Sequence, residues 1–562
     1  MGNYYKDNDR LEKYLNNQLM NKVVSLHEQN FSYFKTDKKA PQNTNDAIFC
    51  YKQALVTLGE ICADTIAVNS VSVDDQGPVF KDGSVFYHEK TIMNNNILKL
   101  ASLYGITLPR SYGGLFFPIT VSVMASEIIA RADASFQNIW SLQDCAETIL
   151  RFGSEDLKSE LLPLVCNGAT CSMDLTEPNS GSDLQSVSLK ASWNEKDSVW
   201  RLNGVKRFIT NGDADIHLVL ARSEDNVSDG RGLSLFVYRK SDKGMTVRRI
   251  ENKIGIVGSP TCEISFNNAP ASLIGERKMG LIKYVMSLMN MARLGIGAQS
   301  VGIGEAAIRE AEQYAATRKQ FGVPIISLPA IREMIRNMRS KLDASRALLY
   351  ETAYQADISK ALMEKSESEE LTPTEKIMLK ESNKKADMLT PILKLISSEY
   401  CNQIAYDAIQ IFGGSGYVKD FIVERLYRDA RVTSIYEGTS QMQVVAASKY
   451  IINKDALTAI DSYLEKIKDN RAKEILTELR DELKNAIDYC SIQPREYSIF
   501  HMRRMVEMAG CIIMSALLYI NCEDLRDKES ALFHTSTTVA LVKNNNSLIQ
   551  NRDFFNSVFS SQ

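Results

Sequence analysis

The run Gln410–Gln443, QIFGGSGYVKDFIVERLYRDARVTSIYEGTSQMQ, decides how the rest of the chain is read. Gly413, Gly414 and Gly416 break an apolar stretch, and glycine at such a break lets the backbone come close to a ligand. A charged amphipathic segment follows and ends at Ile435-Tyr436-Glu437-Gly438-Thr439, where a new helix begins. Gly438 permits a sharp turn, and Ser440 with Gln443 has the spacing of a capping box. Glu437 is therefore expected on a loop, flanked by Ile435 and Tyr436, beside a helix N-terminus. Such a carboxylate is either a positioned base or an ordinary solvated acid. The loop alone does not choose.

Working outward, 562 residues exceed one small domain and predict several units with large cores. With 44% hydrophobic and 24% charged residues, the composition is that of a soluble globular protein. A net charge of -3 argues against a phosphate-rich partner held by a global positive field. The ten cysteines contain no CxxC pair and the five histidines are scattered, so no metal site and no redox dithiol is expected. The cysteines read as small core residues of a reducing, cytoplasmic protein. The start MGNYYKDNDRLEKYL is polar, unlike a secretory leader. The apolar run Met508–Ile520 is shorter than the roughly 20 residues of a spanning helix, so a buried helix and no transmembrane segment are expected.

The periodicity predicts a mainly α fold with a central β domain, a small barrel or a sandwich. Residues 1–165 read as an N-terminal helical domain. In 166–278 the period becomes alternating, with strands around Ser186–Trp193, Trp200–Thr210 (carrying an Asn203-Gly204 turn), His217–Ala221, Leu233–Val237 and Cys262–Phe266. Helices return over 279–450, where Glu364–Lys385, with Pro373 inside it, reads as an exposed excursion. Residues 451–562 form a helical C-terminal extension of mixed charge.

Three further stretches could carry chemistry. Met173–Asp183, MDLTEPNSGSD, offers hydroxyls and backbone N–H groups at a strand end; it also fits a plain capped loop. In Phe208–Gly212, FITNG, Phe208 could pack on a flat ring that Thr210 faces, and a hairpin turn is the bland alternative. In Arg318–Gly322, RKQFG, a guanidinium could pair with a pyrophosphate, although cations suit helix C-termini in any case.

Singly these signals are weak. In the order LTEPNSGSD, FITNG, YAATRKQFG, QIFGGSGY, IYEGTSQMQ they resemble the acyl-CoA dehydrogenase family over roughly Leu108–Tyr450. The longer bacterial members, such as the 3-methylmercaptopropionyl-CoA dehydrogenase type, are the most similar. The resemblance implies a helical domain, a β-barrel and a four-helix bundle binding FAD, with the C-terminal extension added. It implies that Glu437 removes the α-proton of an acyl-CoA thioester while the β-hydrogen leaves as hydride to flavin N5, giving a trans-2-enoyl-CoA. Some relatives place the base at the position of Ala292, which cannot serve, so Glu437 is the family-placed base here.

By the same resemblance Met173, Leu175, Thr176, Ser182, Phe208, Ile209 and Thr210 line the flavin, Phe208 standing where many relatives have Trp. Arg318, Phe321, Gln410, Gly413 and Gly414 are expected to contact the FAD of a neighbouring subunit, and Thr439 and Gln441 that of their own. Ser182, Asn290, Arg293 and Gly438 are the expected substrate contacts, with Asn290 replacing an Asp of several relatives. A site so shared implies a homodimer or homotetramer, and the implied electron acceptor is an electron-transfer flavoprotein. Two other readings remain: a flavin oxidase acting on another acidic C–H substrate, and a flavin-bearing nucleic-acid binder. The mixed charge of the extension disfavours the second, and no nucleic acid is expected.

Overall fold

The computed structural model describes residues 2–559, in two compact units, Met1–Gly295 and Ile296–Gln562. Helices of the first unit start where side chains cap them. Asn43 accepts from the Asp46 amide to open Thr44–Ile61, and Asp133 accepts from Ser135 and Phe136 to open Ala134–Ser141. The stretch Thr44–Gln76 is the one among the described residues with the length and apolarity of a membrane-crossing helix. It passes through a π-turn at Cys62–Ile66 and buries Tyr51, Leu55, Leu58, Cys62 and Ile66 along one face, as a core helix does.

The first unit's sheet is made of β1 (Cys171–Asp174), β2 (Lys190–Asn194), β3 (Val199–Thr210), β4 (Ile216–Arg222), β5 (Leu233–Arg239), β6 (Met245–Ile250) and β7 (Thr261–Ile274). Pairing runs β1–β4–β2–β3–β7–β5, with β6 on β7 and β4 also on β5. The central domain is thus a seven-stranded sheet in which β4–β2–β3–β7–β5 pairs back onto β4, the β2–β4 link being the single pair Lys190–Arg222. Alternation assigns the faces. Leu218, Leu220, Leu235 and Val237 join a core with the helices Cys145–Phe152 and Glu155–Cys166. Val219, Ala221, Phe236 and Tyr238 join Trp200, Leu202 and Phe266 on the other side. Burial on both faces explains the near-continuous apolar runs. The expected Asn203-Gly204 turn is instead a bulge within β3, with register shifting between Leu202 and Gly204. Gly204 has φ +143°, and a Cβ there would stand 3.0 Å from the Leu189 Cα.

The second unit contains most of α1 (Met286–Thr317), then α2 (Pro329–Ser368), α3 (Pro373–Phe412), α4 (Val423–Ala430) and α5 (Ser440–Ile452). The extension adds α6 (Asp455–Leu464), α7 (Asn470–Ser491), α8 (Arg495–Ile520), α9 (Leu525–Gln550) and α10 (Arg552–Phe559); its last three residues lie outside the described ones. The excursion expected around Pro373 is a helix start: Thr372 and Glu375 form a capping box with Pro373 in the first turn. Inside the unit, buried Glu305 meets Arg346 at 2.8 Å and Arg339 at 3.7 Å. Burial alone would raise its carboxyl, but Arg346, Arg339 and Arg309 together hold it far below the usual range. The Ser530 hydroxyl donates to Asp343 Oδ2 at 2.6 Å, joining α9 to α2. A Cβ on Gly510 would stand 2.2 Å from Ile396 Cδ1, so glycine lets α8 settle against α3. The run Met508–Ile520 is the end of α8 and is buried there through Leu518. Cations of the extension pair with its own carboxylates, Arg480 with Asp461 at 2.8 Å and Lys454 with Asp488 at 2.6 Å.

Candidate active site

In the first unit the loop after β1 is shaped by a buried carboxylate. Glu177 accepts from the Ser188 amide (2.8 Å), the Ser188 hydroxyl (2.7 Å), the Leu189 amide (2.9 Å) and Lys206 Nζ (2.9 Å). Burial alone would raise its carboxyl; Lys206 and these donors outweigh it and hold the group below the usual range. Lys206 is fully buried and also donates to the Leu175 carbonyl at 2.9 Å. The Arg207 amide donates to the Thr176 carbonyl at 2.9 Å, which sets this loop beside Phe208.

Phe208 has φ +61°, a left-handed conformation uncommon for an aromatic residue, and it is 52% exposed with the Arg207 guanidinium 4.7 Å from its ring. Met173, Thr176 and Thr210 are half-buried and Ser182 is exposed. Leu175 and Ile209 are buried. Their side chains are packed into the sheet's two cores, which leaves only their main chain for a ligand. Arg293 is buried and donates from Nη1 to Asn290 Oδ1 at 3.2 Å along α1. The cluster Ser172–His217–Asp174 imitates a catalytic triad only in composition. Ser172 Oγ (2.7 Å) and Asp174 Oδ2 (2.9 Å) both meet Nδ1, whereas a triad needs acid and nucleophile on opposite nitrogens.

In the second unit the loop before α5 carries two successive left-handed residues, Glu437 at φ +53° and Gly438 at φ +86°. Glycine adopts this freely; for glutamate it costs about 1–2 kcal/mol. The conformation persists because its carbonyls are gripped. Gly438 O accepts from Lys394 Nζ at 2.7 Å and Gln443 Nε2 at 2.8 Å, and Glu437 O from Gln443 Nε2 at 3.2 Å. Upstream, the Ile435 and Tyr436 amides donate to the Val432 carbonyl at 2.8 and 3.2 Å, and Asn402 Nδ2 holds the Ala430 carbonyl at 3.1 Å. The Tyr436 hydroxyl donates to Gln299. Its phenol is pushed well above the usual value, first by burial and then by the charge of Glu437.

The cap of α5 is Thr439, whose hydroxyl accepts from the Met442 amide, one residue earlier than the spacing suggested. Ser440 instead donates to Glu399 Oε1 at 2.6 Å. Glu437 is half-buried, one turn ahead of this capped end, where the helix dipole favours a carboxylate.

The remaining expected residues form a separate group at the far end of α1. Tyr314 stacks on Phe412 with centroids 4.1 Å apart, and its hydroxyl reaches Ser415 Oγ at 3.3 Å. That brings Arg318 and Phe321, in the small hairpin after α1, to the Gly413–Tyr417 turn. Arg318, Gln410, Gly413 and Gly414 are exposed, and Phe321 and Tyr417 are 89% and 88% exposed. Gln441 is exposed and Thr439 half-buried at the loop before α5. The structure thus yields two groups in this unit, Glu437–Gln441 and Arg318–Gly414, and a third in the first unit.

Taken separately, the donors of each unit suit part of a group with a flat apolar ring, polar ring edges and a pyrophosphate. The first unit offers an exposed phenyl ring held in a strained conformation, the half-buried Met173 and three hydroxyls. The second offers an exposed guanidinium, two exposed amide side chains and the Thr439 hydroxyl. Sequence reasoning missed the supporting residues Lys394, Gln443, Gln299, Asn402 and Lys206. The signal for Lys394 was present, a lysine interrupting the apolar run LTPILKLIS.

Family models match most of the chain from residue 87 onward. They are the acyl-CoA dehydrogenase N-terminal domain over residues 87–169, the middle domain over 172–269, the C-terminal domain over 282–451 and a further acyl-CoA dehydrogenase C-terminal model over 456–560. The chain is 37% identical over 358 residues to an acyl-CoA dehydrogenase of Bacillus subtilis, covering 62% of this chain and 87% of that protein. It is 32% identical over 418 residues to the 3-methylmercaptopropionyl-CoA dehydrogenase of Ruegeria pomeroyi, covering 70% and 69%. Butyryl-CoA dehydrogenase from Megasphaera elsdenii superposes with a TM-score of 0.61 at 28% identity, over 72% of this chain and 98% of that one. ACDH-11 of Caenorhabditis elegans in complex with C11-CoA shares the fold with a TM-score of 0.76 at 20% identity, over 96% of this chain and 95% of that one.

Proposed function

The chain belongs to the acyl-CoA dehydrogenase family, FAD-dependent oxidoreductases acting on a CH–CH bond of an acyl-CoA, and on that premise we propose that Glu437 is its catalytic base. The observation that carries this is the loop itself. A glutamate held in a left-handed conformation by grips on the two adjacent carbonyls is a side chain whose direction the backbone dictates. Strain kept at one acid, beside a capped helix, has no use for a solvated loop residue.

In this reading the α-carbon of the thioester loses its proton to a Glu437 carboxylate oxygen. The thioester oxygen is held by main-chain N–H groups of the base loop, as an oxyanion is. When bound, FAD supplies the acceptor for the hydride that leaves the β-carbon, so the product is a trans-2-enoyl-CoA. Phe208, Met173, Thr176 and Thr210 of the first unit would hold the ring system. Arg318, Phe321, Gln410, Gly413 and Gly414 would meet the cofactor of a neighbouring subunit, which makes the proposed assembly a homodimer or homotetramer. An electron-transfer flavoprotein is the proposed acceptor, and ten free cysteines suit the reducing cytoplasm.

The test is anaerobic titration of the purified flavoprotein with saturated acyl-CoAs, followed at the flavin's visible bands. Wild type should bleach with at least one thioester. Glu437→Gln should bind the same ligands and reduce about 10²–10⁴-fold more slowly, the usual worth of a positioned base. Equal rates would remove Glu437 from the mechanism.

A further inference from the structure

The base loop is gripped by a lysine that carries no established role. Lys394 lies on α3 with none of its surface exposed, between buried Leu393 and Leu395. Its Nζ crosses to the loop and donates to the Gly438 carbonyl at 2.7 Å. The hydroxyls nearest it on the same helix do not compete for that carbonyl. Thr390, Ser397 and Ser398 each donate back to their own helix, at Ala386, Leu393 and Leu395. Burying an ammonium is expensive, and a position that serves only packing is as well filled by an apolar chain of the same length. The ammonium is therefore there for what it holds.

What it holds is one peptide plane away from the base. Gly438 O receives both Lys394 Nζ and Gln443 Nε2, which uses both of its lone-pair directions. Gln443 also reaches Glu437 O, so the peptides on either side of Gly438 are fixed from their carbonyl edges. With those two planes fixed, the φ and ψ of Gly438 cannot drift, and the peptide plane leaving Glu437 is held in place. Gln443 grips from within α5, the helix that follows the loop, and would move with it. Lys394 grips from α3, whose surrounding residues are buried scaffold. The external anchor is the lysine.

We infer that Lys394 is a positioning residue of the dehydrogenation, holding the Glu437 carboxylate on station through the Gly438 carbonyl. The inference rests on Glu437 being the base. It acts on kcat and not on substrate affinity, because the grip fixes a reacting group and touches no substrate.

The experiment compares Lys394→Met, which keeps the stem and drops the donor, with Lys394→Gln, which keeps an N–H donor, and with Lys376→Met, an exposed lysine of the same helix. Anaerobic flavin reduction by acyl-CoA gives kcat and KM. Hydrogen exchange of peptides covering 432–443, without substrate, reads the loop directly. The expected result for Lys394→Met is a kcat lower by about 10- to 100-fold, KM within about twofold, full flavin content and faster loop exchange. Lys394→Gln should recover part of the loss, and Lys376→Met should match wild type. Wild-type kcat and wild-type loop exchange in Lys394→Met would overturn the inference. So would equal losses in both Lys394 variants with raised KM and lost flavin, or failure of both to fold, since each makes the lysine a scaffold group only. A wild type that never bleaches sinks the reading of Glu437 instead, and the exchange data stand apart from it.

Discussion

Two loops, one in each unit, are built on a buried lysine and a nearby glutamate, and they put the pair to opposite uses. After β1, Lys206 donates to the Leu175 carbonyl and also to Glu177 itself, whose oxygens take three further donors. The carboxylate is the keystone of that loop, ionised and fully engaged by its own scaffold. Before α5, Lys394 and Gln443 reach past the glutamate to the carbonyls of Glu437 and Gly438. There the backbone is fixed and the side chain is its product. Glu177 is gripped at its carboxylate, and the loop of Glu437 is gripped at its main chain.

Breaking the first loop should cost most in stability. Glu177→Gln removes the charged partner of Lys206, which is wholly buried, and leaving a buried ammonium unpaired costs about 3–5 kcal/mol. Denaturant unfolding of the first unit should show it as a fall in midpoint with unchanged slope. A loss below 1 kcal/mol would mean that the loop does not depend on its carboxylate. Breaking the second loop should cost rate. Gly438→Ala puts a Cβ 2.7 Å from Gln443 Nε2 at φ +86°, so the amide must leave both carbonyls. The expected kcat loss is about 10- to 100-fold, or roughly 1.4–2.7 kcal/mol, with Tm nearly unchanged. Normal turnover in that variant would erase the distinction between the two loops.

The sequence made one of these loops far more legible than the other. Glu437 stood out because Gly438 marked a turn and the five motifs placed a base there. Its supports did not, since Lys394 and Gln299 are 43 and 138 positions away in the chain, and such pairings are set by helix packing that no local pattern encodes. Phe208 and Glu437 were singled out for their side chains, yet their left-handed backbones were invisible, being imposed by tertiary contacts on residues that avoid them. Period two marked five of the sheet's seven strands. It could not show that β2 leaves β4 after one pair, because strand order is a property of the closed-up molecule. Pro373 was read as a break, whereas the Thr372–Glu375 capping box makes it a start.

Acid should separate the two units. Glu177 is held below its ordinary value, so its stabilisation is present above about 4.5 and is lost as pH falls through the lower folded value. In the second unit His534 is buried, bonded to Ser515 Oγ at 2.8 Å and to the Tyr400 hydroxyl at 3.3 Å. Burial, and then the charge of Lys341, lower it from 6.5 to about 3. Between those values the unfolded chain takes a proton that the folded one refuses, so this stabilisation is full above 6.5 and falls with each step toward 3. Peptides of the second unit should therefore lose exchange protection at a higher pH than those of the first. His534→Asn should flatten the slope between 6.5 and 4 in the second unit alone. An identical acid profile for both units would show that neither group dominates its own.

The smallest expected effect tests where the grip on the base loop ends. Ser440, the first residue of α5, donates to Glu399, and Glu399 meets Arg503 of the extension at 3.3 Å. On paper this joins the extension to the Glu437 loop, as Lys394 joins α3 to it. The physics differs. The Arg503 and Glu399 side chains are 44% and 34% exposed, and Arg503 also pairs with Glu507 at 2.7 Å. Exposed pairs contribute about 0–1 kcal/mol, and a guanidinium with a second partner contributes toward the low end. Arg503→Ala should therefore change kcat by less than about twofold and Tm by no more than about 2 °C. If it instead lowers kcat as far as Lys394→Met, the loop is held from outside as much as from within. The extension would then belong to the catalytic machinery, and the contrast between a gripped carboxylate and a gripped backbone would need a third member.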